Sequence, residues 1–476
     1  MQFEPVIGLE VHAQLKTNTK IFCACSTAFG APENSHTCPI CLALPGTLPV
    51  LNRKVVEYAM RAGIATHCTI NPVSVFDRKS YFYPDLPKGY QISQLDSPIA
   101  EHGYLDLDID GETHRVGITR IHMEEDAGKL IHDTRLPVSR VDLNRGGMPL
   151  IEIVSEPEIF SVAQAIRYLR QLRAIVKYIG VCDGNMEEGS FRCDANISLR
   201  PVGQKEFGTR VEIKNLNSFR HVERALNYEI GRHTEALKEG QPLVQETRLW
   251  DPDKQKTFSM RGKEEAHDYR YSPDPNLASV EISEEWILSV KESLPELPIE
   301  KQNRYIKELG LSKEEATILT ADVGLASFFE EICTTLNEPK LVANWLIGPF
   351  LGFMNAEGLE IENFSVSAQK MAQLLELVSK EVLNLKTAKV VFEEMVSSQK
   401  DAETIVAEKN LRQVSDSSAL EEIIRCVLEE NPNEVISFKD GKDKLMGFFV
   451  GQVMKLSQGK ANPKMVNELL KQKLSE

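Results

Sequence analysis

Val6-Ile7-Gly8-Leu9-Glu10-Val11-His12-Ala13-Gln14-Leu15 alternates residue by residue. Ile7, Leu9, Val11, Ala13 and Leu15 share one face; Gly8, Glu10, His12 and Gln14 share the other. Period two over such a stretch predicts a half-buried β-strand. On it Glu10 and His12 point the same way, roughly 6.6 Å apart along the backbone. A carboxylate and an imidazole so placed can reach one cation. Taken alone, the segment also fits an ordinary solvated outer face.

Further strands sharpen the reading. Arg120-Ile121-His122-Met123-Glu124-Glu125-Asp126 ends on three consecutive acids, which repel one another unless a cation or base is near. Leu150-Ile151-Glu152-Ile153-Val154 sets one carboxylate inside an apolar run; buried alone, it costs several kcal/mol. Arg145 is the structural partner at hand. A hard cation such as Mg²⁺, which prefers carboxylates, is the other. Phe191–Arg200 alternates again, with Arg192, Asp194, Asn196, Ser198 and Arg200 on one side, and Arg210-Val211-Glu212-Ile213-Lys214 repeats the pattern. A hairpin of the two lays these polar faces together, either as a salt-bridged solvent face or as a wall for a polyanion. Between strands, Ser161-Val162-Ala163-Gln164 opens a helix that Gly180 can stop, and a second helix runs from about Ser218 to Lys238. The expected class is α+β, an N-terminal cradle of antiparallel sheet with packed helices.

The composition divides the chain. All ten histidines lie at or before His267, and 19 of the 23 prolines at or before Pro298. Beyond that the pattern is helical, with stripes such as Leu374-Leu375-Glu376-Leu377-Val378. Ser367 suits a helix cap without a capping box, and Ser397–Asp401 reads as a linker. The expected domains are 1–292, a cradle, then 293–406 and 407–476, both all-helical. The net charge of −15 argues against a chain coated in positive charge. Yet residues from Ala407 onward carry 11 basic and 11 acidic side chains, so the excess acid lies before them. No apolar run is long enough for a membrane helix, and the N-terminus lacks a signal-peptide pattern; the expected location is the cytoplasm.

Four of the nine cysteines form Cys23-Ala24-Cys25 and Cys38-Pro39-Ile40-Cys41. Two knuckles of thiolates suit a tetrahedral, structural Zn²⁺. P-loop, GxGxxG and GxSxG patterns are missing, which leaves carboxylate, histidine, lysine and metal chemistry, the set that serves phosphoryl transfer.

Several long motifs resemble one family. They include Val6–His12, Asp77-Arg78-Lys79-Ser80-Tyr81-Phe82-Tyr83-Pro84-Asp85-Leu86-Pro87-Lys88-Gly89-Tyr90-Gln91-Ile92, His122–Lys129, Asp142-Leu143-Asn144-Arg145-Gly146-Gly147, Arg192–Asn196, Glu212–Ser218 and Gly459-Lys460-Ala461-Asn462-Pro463. Together they resemble the B-subunit family of the aspartyl/glutamyl-tRNA amidotransferases, over essentially the whole chain. The resemblance implies an ATP-dependent carbon–nitrogen ligase of translation that works as a heterotrimer. A glutaminase A subunit supplies ammonia through a channel, and the complex is completed by a small C subunit. Aminoacyl-tRNA binds to the B subunit, which phosphorylates the side-chain carboxylate of Glu-tRNA(Gln) or Asp-tRNA(Asn), and ammonia displaces the phosphate. Carried over by position, Glu10, His12, Glu125 and Glu152 hold Mg²⁺, with Glu124 as the substitute for Glu125. Lys79, Tyr81, Arg192, Asp194, Asn196 and Lys214 bind the nucleotide and acyl group, and the four cysteines match the zinc knuckle kept by some members. Lys455, Lys460, Lys464, Lys471 and Lys473 are placed to meet tRNA phosphates. Gly447 and Gly451, spaced as GxxxG, suggest close helix packing. The alternatives are a non-catalytic, zinc-stabilised tRNA-binding scaffold and an archaeal-type E subunit.

Overall fold

The computed structural model describes residues 2–132, 136–261, 269–412, 417–439, 442, 444–457, 461 and 463–475. The chain divides into two compact units, Met1–Pro298 and Ile299–Glu476.

The first unit carries strands β1 (Phe3–Gln14), β2 (Thr69–Ile70), β3 (Val73–Ser74), β4 (Asp77–Ser80), β5 (Tyr90–Ser93), β6 (Ala100–Ile109), β7 (Glu112–Glu125), β8 (Lys129–His132) and β9 (Ser139–Asp142). It continues with β10 (Pro149–Ser155), β11 (Phe191–Pro201), β12 (Val211–Leu216), β13 (Glu246–Asp251), β14 (Lys256–Arg261), β15 (Ser272–Pro273) and β16 (Val280–Glu281). Its helices are α1 (Arg53–Ala65), α2 (Val162–Tyr178), α3 (Phe219–Lys238) and α4 (Glu284–Glu292). Nine strands form one sheet in the order β14-β13-β12-β11-β1-β10-β7-β6-β2. β1 lies at its centre, with β11 and β10 antiparallel on its two sides. The sheet is mixed and not purely antiparallel, because β12 and β13 run parallel. Helix α3 connects them, and such a crossover returns the chain in the same direction.

Alternation in β1 is the expected one: Ile7, Leu9, Val11 and Ala13 are buried in the main core, where they meet residues of α1 and α2 such as Val55, Met60, Leu169 and Leu172. Helices start where a side chain can accept an otherwise unpaired backbone N–H. Ser161 accepts from Gln164 N to start α2, and Ser218 accepts from His221 N to start α3. Gly180 takes a left-handed φ of 71° just after α2, a conformation that costs glycine little.

The second unit is helical. Its first core includes Tyr305, Phe329, Trp345, Phe350 and Phe392, and also Ala402, Ile405 and Val406. Ser367 caps the helix Ala368–Ser379 by accepting from Lys370 N. The polar stretch expected as a linker is a single turn: Ser398 ends one helix, Gln399 takes a left-handed φ of 61°, and Ala402 begins the next. A separate apolar cluster includes Leu420, Ile424, Phe449, Val453, Val466 and Leu470. The close packing expected at Gly447 and Gly451 is not found: apart from the backbone of their own helix, no described residue comes within 4 Å of where a side chain would begin. Gly459, Lys460 and Asn462 lie outside the described residues. No helix among the described residues is long and apolar enough to cross a membrane.

Candidate active site

The sheet register assembles the candidate site from three neighbouring strands. His12 on β1 lies opposite Glu152 on β10, and Glu152 lies opposite His122 on β7. Glu124, two residues after His122, points to the same face. His12 Nε2 is 3.3 Å from Glu124 Oε1 and 3.5 Å from Glu152 Oε2. His122 Nε2 is 3.1 Å from Glu152 Oε2 and 3.7 Å from Glu124 Oε2. Burial opposes charging either imidazole, but the two carboxylates outweigh it: His12 is pushed up to about 10 and His122 to about 9. Burial likewise opposes ionising the acids, yet the imidazoles hold Glu124 down to about 2 and Glu152 well below the usual carboxylate range. The polar partners of Glu152 are therefore His12 and His122. Arg145 turns away and donates to the carbonyls of Ala127 and Gly128.

On the other side of β1, Glu10 pairs in register with Asp194 and His12 with Arg192. Asn196 donates to Glu10 Oε1 at 2.8 Å. Burial and the neighbouring Glu152 charge raise the Glu10 carboxyl above its usual range. Arg192 Nη2 meets Asp126 Oδ2 at 3.0 Å, and Lys214 Nζ sits 2.7 Å from both Asp194 and Glu212. Lys79 on β4 lies 4.8 Å over the Tyr269 ring. Burial works against its charge, but Glu124, Tyr271, Tyr269 and Glu152 together outweigh it and raise the ammonium above its usual range. Tyr81 OH reaches Gln91 at 3.4 Å. His12, Glu124, Tyr81, Arg192, Asp194 and Lys214 share the wall of a cavity of about 360 Å³.

Glu125 is elsewhere. Alternation turns it to the opposite side of β7, where it accepts from Ile92 N at 2.9 Å and from Lys88. The structure thus brings Glu124 to His12 and Glu152, and places the expected ligand Glu125 against Lys88. His122, Asp126 and Gln91 join the site although none of them is among the expected metal, nucleotide or acyl-group ligands. The signal for His122 is its two-residue spacing from Glu124 on one strand.

Cys23, Cys25, Cys38 and Cys41 converge between β1 and α1, their sulfurs all within 4.8 Å of one another. Cys38 N–H donates to Cys41 Sγ at 3.0 Å. The Cys41 thiol is pulled down to about 4, first by a hydrogen bond from Cys23 and further by the Lys20 ammonium. Lys20 is itself buried and donates to His36 O at 2.8 Å and to Leu143 O at 3.3 Å. Four converging sulfurs, one favoured as thiolate, fit a closed tetrahedral zinc site.

Comparison with known proteins agrees with this architecture. Residues 5–288 match the family model described as the GatB/GatE catalytic domain, and residues 327–474 match the GatB domain. The chain is 56% identical over 474 residues to the B subunit of the aspartyl/glutamyl-tRNA(Asn/Gln) amidotransferase from Syntrophotalea carbinolica, covering 100% of this chain and 99% of that protein. It is 55% identical to the protein of the same name from Thermodesulfovibrio yellowstonii and 56% to that from Geobacter sulfurreducens, with 100% of each chain covered.

Proposed function

The chain belongs to the GatB family of aspartyl/glutamyl-tRNA(Asn/Gln) amidotransferase B subunits, and on that premise we propose the reaction its cradle performs. The terminal phosphoryl group of ATP passes to the side-chain carboxylate of Glu-tRNA(Gln) and/or Asp-tRNA(Asn). Ammonia then displaces phosphate to leave the amide. A partner A subunit releases the ammonia from glutamine, and the heterotrimer, which is cytoplasmic, is completed by a C subunit.

One observation carries the reading: His12, Glu124 and Glu152 converge within 4.8 Å beside a cavity whose wall also holds Arg192 and Lys214. Acids and imidazole in that arrangement suit a cation, and the basic residues suit phosphate and carboxylate. His12, Glu124 and Glu152, with Glu10 next to them, would hold Mg²⁺; Glu124 takes the role expected of Glu125. When bound, Mg²⁺ neutralises phosphate charge. Arg192, Lys214 and Lys79 position the anionic groups, and Tyr81, Asp194 and Asn196 fix the orientation of their neighbours. Catalysis of this kind rests on positioning and charge neutralisation and needs no protein nucleophile. The cysteine cluster would hold structural Zn²⁺ and fix the loop after β1.

An archaeal-type E subunit has less support, because residues 327–474 match the GatB domain and full-length relatives carry the B-subunit name. A non-catalytic scaffold has no need of two acids and an imidazole converged beside a cavity whose wall holds Arg192 and Lys214. The test is to incubate the purified complex with each mischarged tRNA, glutamine and ATP, and to identify the amino acid released. Glutamine or asparagine is expected; unchanged glutamate and aspartate would overturn the reading.

A further inference from the structure

The face that carries Asp194 and Lys214 continues past Lys214. β13 places Leu249 opposite Lys214, and β14 places Phe258 opposite Leu249. Residues opposite one another in register point to the same side, so Lys214, Leu249 and Phe258 form one row. The spacing of strands puts Leu249 about 5 Å and Phe258 about 10 Å beyond Lys214. On the reverse side the hairpin is closed: Trp250 and Thr257 are buried, and Thr257 bonds Glu229 of α3. The row itself is open. Leu249 is 38% exposed, Phe258 42% and Met260 58%. Lys254 Nζ stands 4.9 Å over the Phe258 ring and 3.5 Å from Asp251 Oδ2, a pair exposed enough to exchange for a phosphate. Lys256 pairs with Asp251 two positions before Phe258, which puts it on the same face, and it is exposed.

An aromatic ring beside an aliphatic one, flanked by two lysines on an open strip, is unlike a small-molecule site, which is concave and encloses its ligand. It is the arrangement that holds a single-stranded nucleic acid, where bases stack on aromatic rings and cations follow the phosphates. We propose that Leu249 and Phe258 are a stacking platform for a base in the single-stranded acceptor end of tRNA, with Lys254 and Lys256 on its phosphates. The platform rests on the function proposed above and deepens it. It holds the acceptor end beside Lys214, so that the attached amino acid enters the cavity lined by Asp194 and His12.

The test uses the assembled complex carrying Phe258→Ala, Leu249→Ser or Phe258→Trp. Loss of one base stack is expected to raise the KM for mischarged tRNA about tenfold in Phe258→Ala. Leu249→Ser should act in the same direction. The KM for ATP and the kcat at saturation should stay within about twofold, and Phe258→Trp should restore wild-type behaviour. Replacing Lys254 and Lys256 together by Ala should flatten the salt dependence of tRNA binding by about one to two charges. An unchanged KM for tRNA in Phe258→Ala overturns the platform, as does a rise confined to the KM for ATP, which would give the row to the nucleotide. Loss of complex assembly on gel filtration would also overturn it, in favour of a protein partner. A wild-type complex that forms no amide would refute the functional reading instead, and the two failures are read from different samples.

Discussion

The Nε2 atom of His122 stands 3.1 Å from the Glu152 carboxylate, one strand across in register. His12 approaches the same carboxylate from the other side at 3.5 Å. An acid within an apolar strand is thus held by two imidazoles, which is how the fold tolerates its burial. Replacing Glu152 removes the group on which both histidines converge. In the assembled complex Glu152→Ala is expected to lower amide formation at least about a hundredfold, the range for losing an electrostatic catalytic group. The affinity for tRNA should change by less than about twofold. Normal amide formation by this variant would take Glu152 out of the active site.

Glu124 and Glu125 are adjacent in sequence but face opposite ways, so their substitutions should separate. Glu124→Gln removes a cation ligand and should raise the Mg²⁺ concentration needed for half-maximal activity by about tenfold or more. Glu125→Gln breaks a buried ion pair with Lys88, a loss worth about 3 kcal/mol in a well-buried pair. Its main effect should be a lower thermal midpoint, with the Mg²⁺ requirement nearly unchanged. The reverse assignment of the two effects would restore Glu125 as the ligand.

Much of this geometry was legible in the sequence. β1, β11 and β12 alternate over most of their length, so which of their residues share a face follows from period two. That reasoning finds Glu10, His12, Arg192, Asp194, Asn196 and Lys214. It also sorts Glu125 with Ile121 and Met123 on β7. It does not say which side of β7 faces the site, because that depends on how the whole sheet is covered. Ile121 and Met123 belong to the buried core, and Glu125 follows them to that side. The partners of Glu152 were hidden for a related reason. Arg145 is near in sequence, whereas His12 and His122 become neighbours only through strand pairing. The parallel pairing of β13 with β12 had no local signal either, since a strand's pattern is the same in both directions.

The cysteine cluster gives a stoichiometric prediction. Protein purified in the presence of zinc should carry about one Zn²⁺ per chain by elemental analysis, and Cys38→Ser or Cys41→Ser should lose most of it. Closed four-thiolate sites act through structure, so the variants should show lower thermal midpoints and the kcat of the folded fraction should fall far less than in Glu152→Ala. Zinc-free wild-type protein under these conditions would remove the assignment.

The last apolar cluster shares no residue with the one before it, and Ala402, Ile405 and Val406 belong to the earlier one. A truncation that respects these cores therefore ends after Arg412, later than the composition boundary at Ala407. It removes Lys455, Lys464 and Lys471, all exposed, together with Lys473. The shortened complex should bind tRNA about tenfold or more weakly, with a reduced salt slope, and should hydrolyse ATP at close to the normal rate. Unchanged tRNA affinity would refute the role of the tail.

A final prediction concerns pH and lies away from the candidate metal ligands. Glu229 on α3 is fully buried; Arg232 at 2.7 Å and Thr257 donate to it, and Arg248 Nε and His233 Nε2 each stand 3.2 Å from it. Burial disfavours its charge, but these donors, His233 and Arg232 foremost, hold its carboxyl down to about 2. A carboxyl depressed on folding stabilises the native state at pH values above its ordinary range near 4.5, and that contribution is lost as pH falls toward 2. Its size is at most on the order of 3 kcal/mol. The stability difference between wild type and Glu229→Gln in chemical denaturation should shrink steadily as pH falls below about 5. Because Glu229 bonds Thr257 on β14, the same variant should loosen the hairpin that carries Phe258, and hydrogen exchange across β13 and β14 should rise. A stability difference that does not depend on pH would show that Glu229 is not held as a carboxylate in the folded protein.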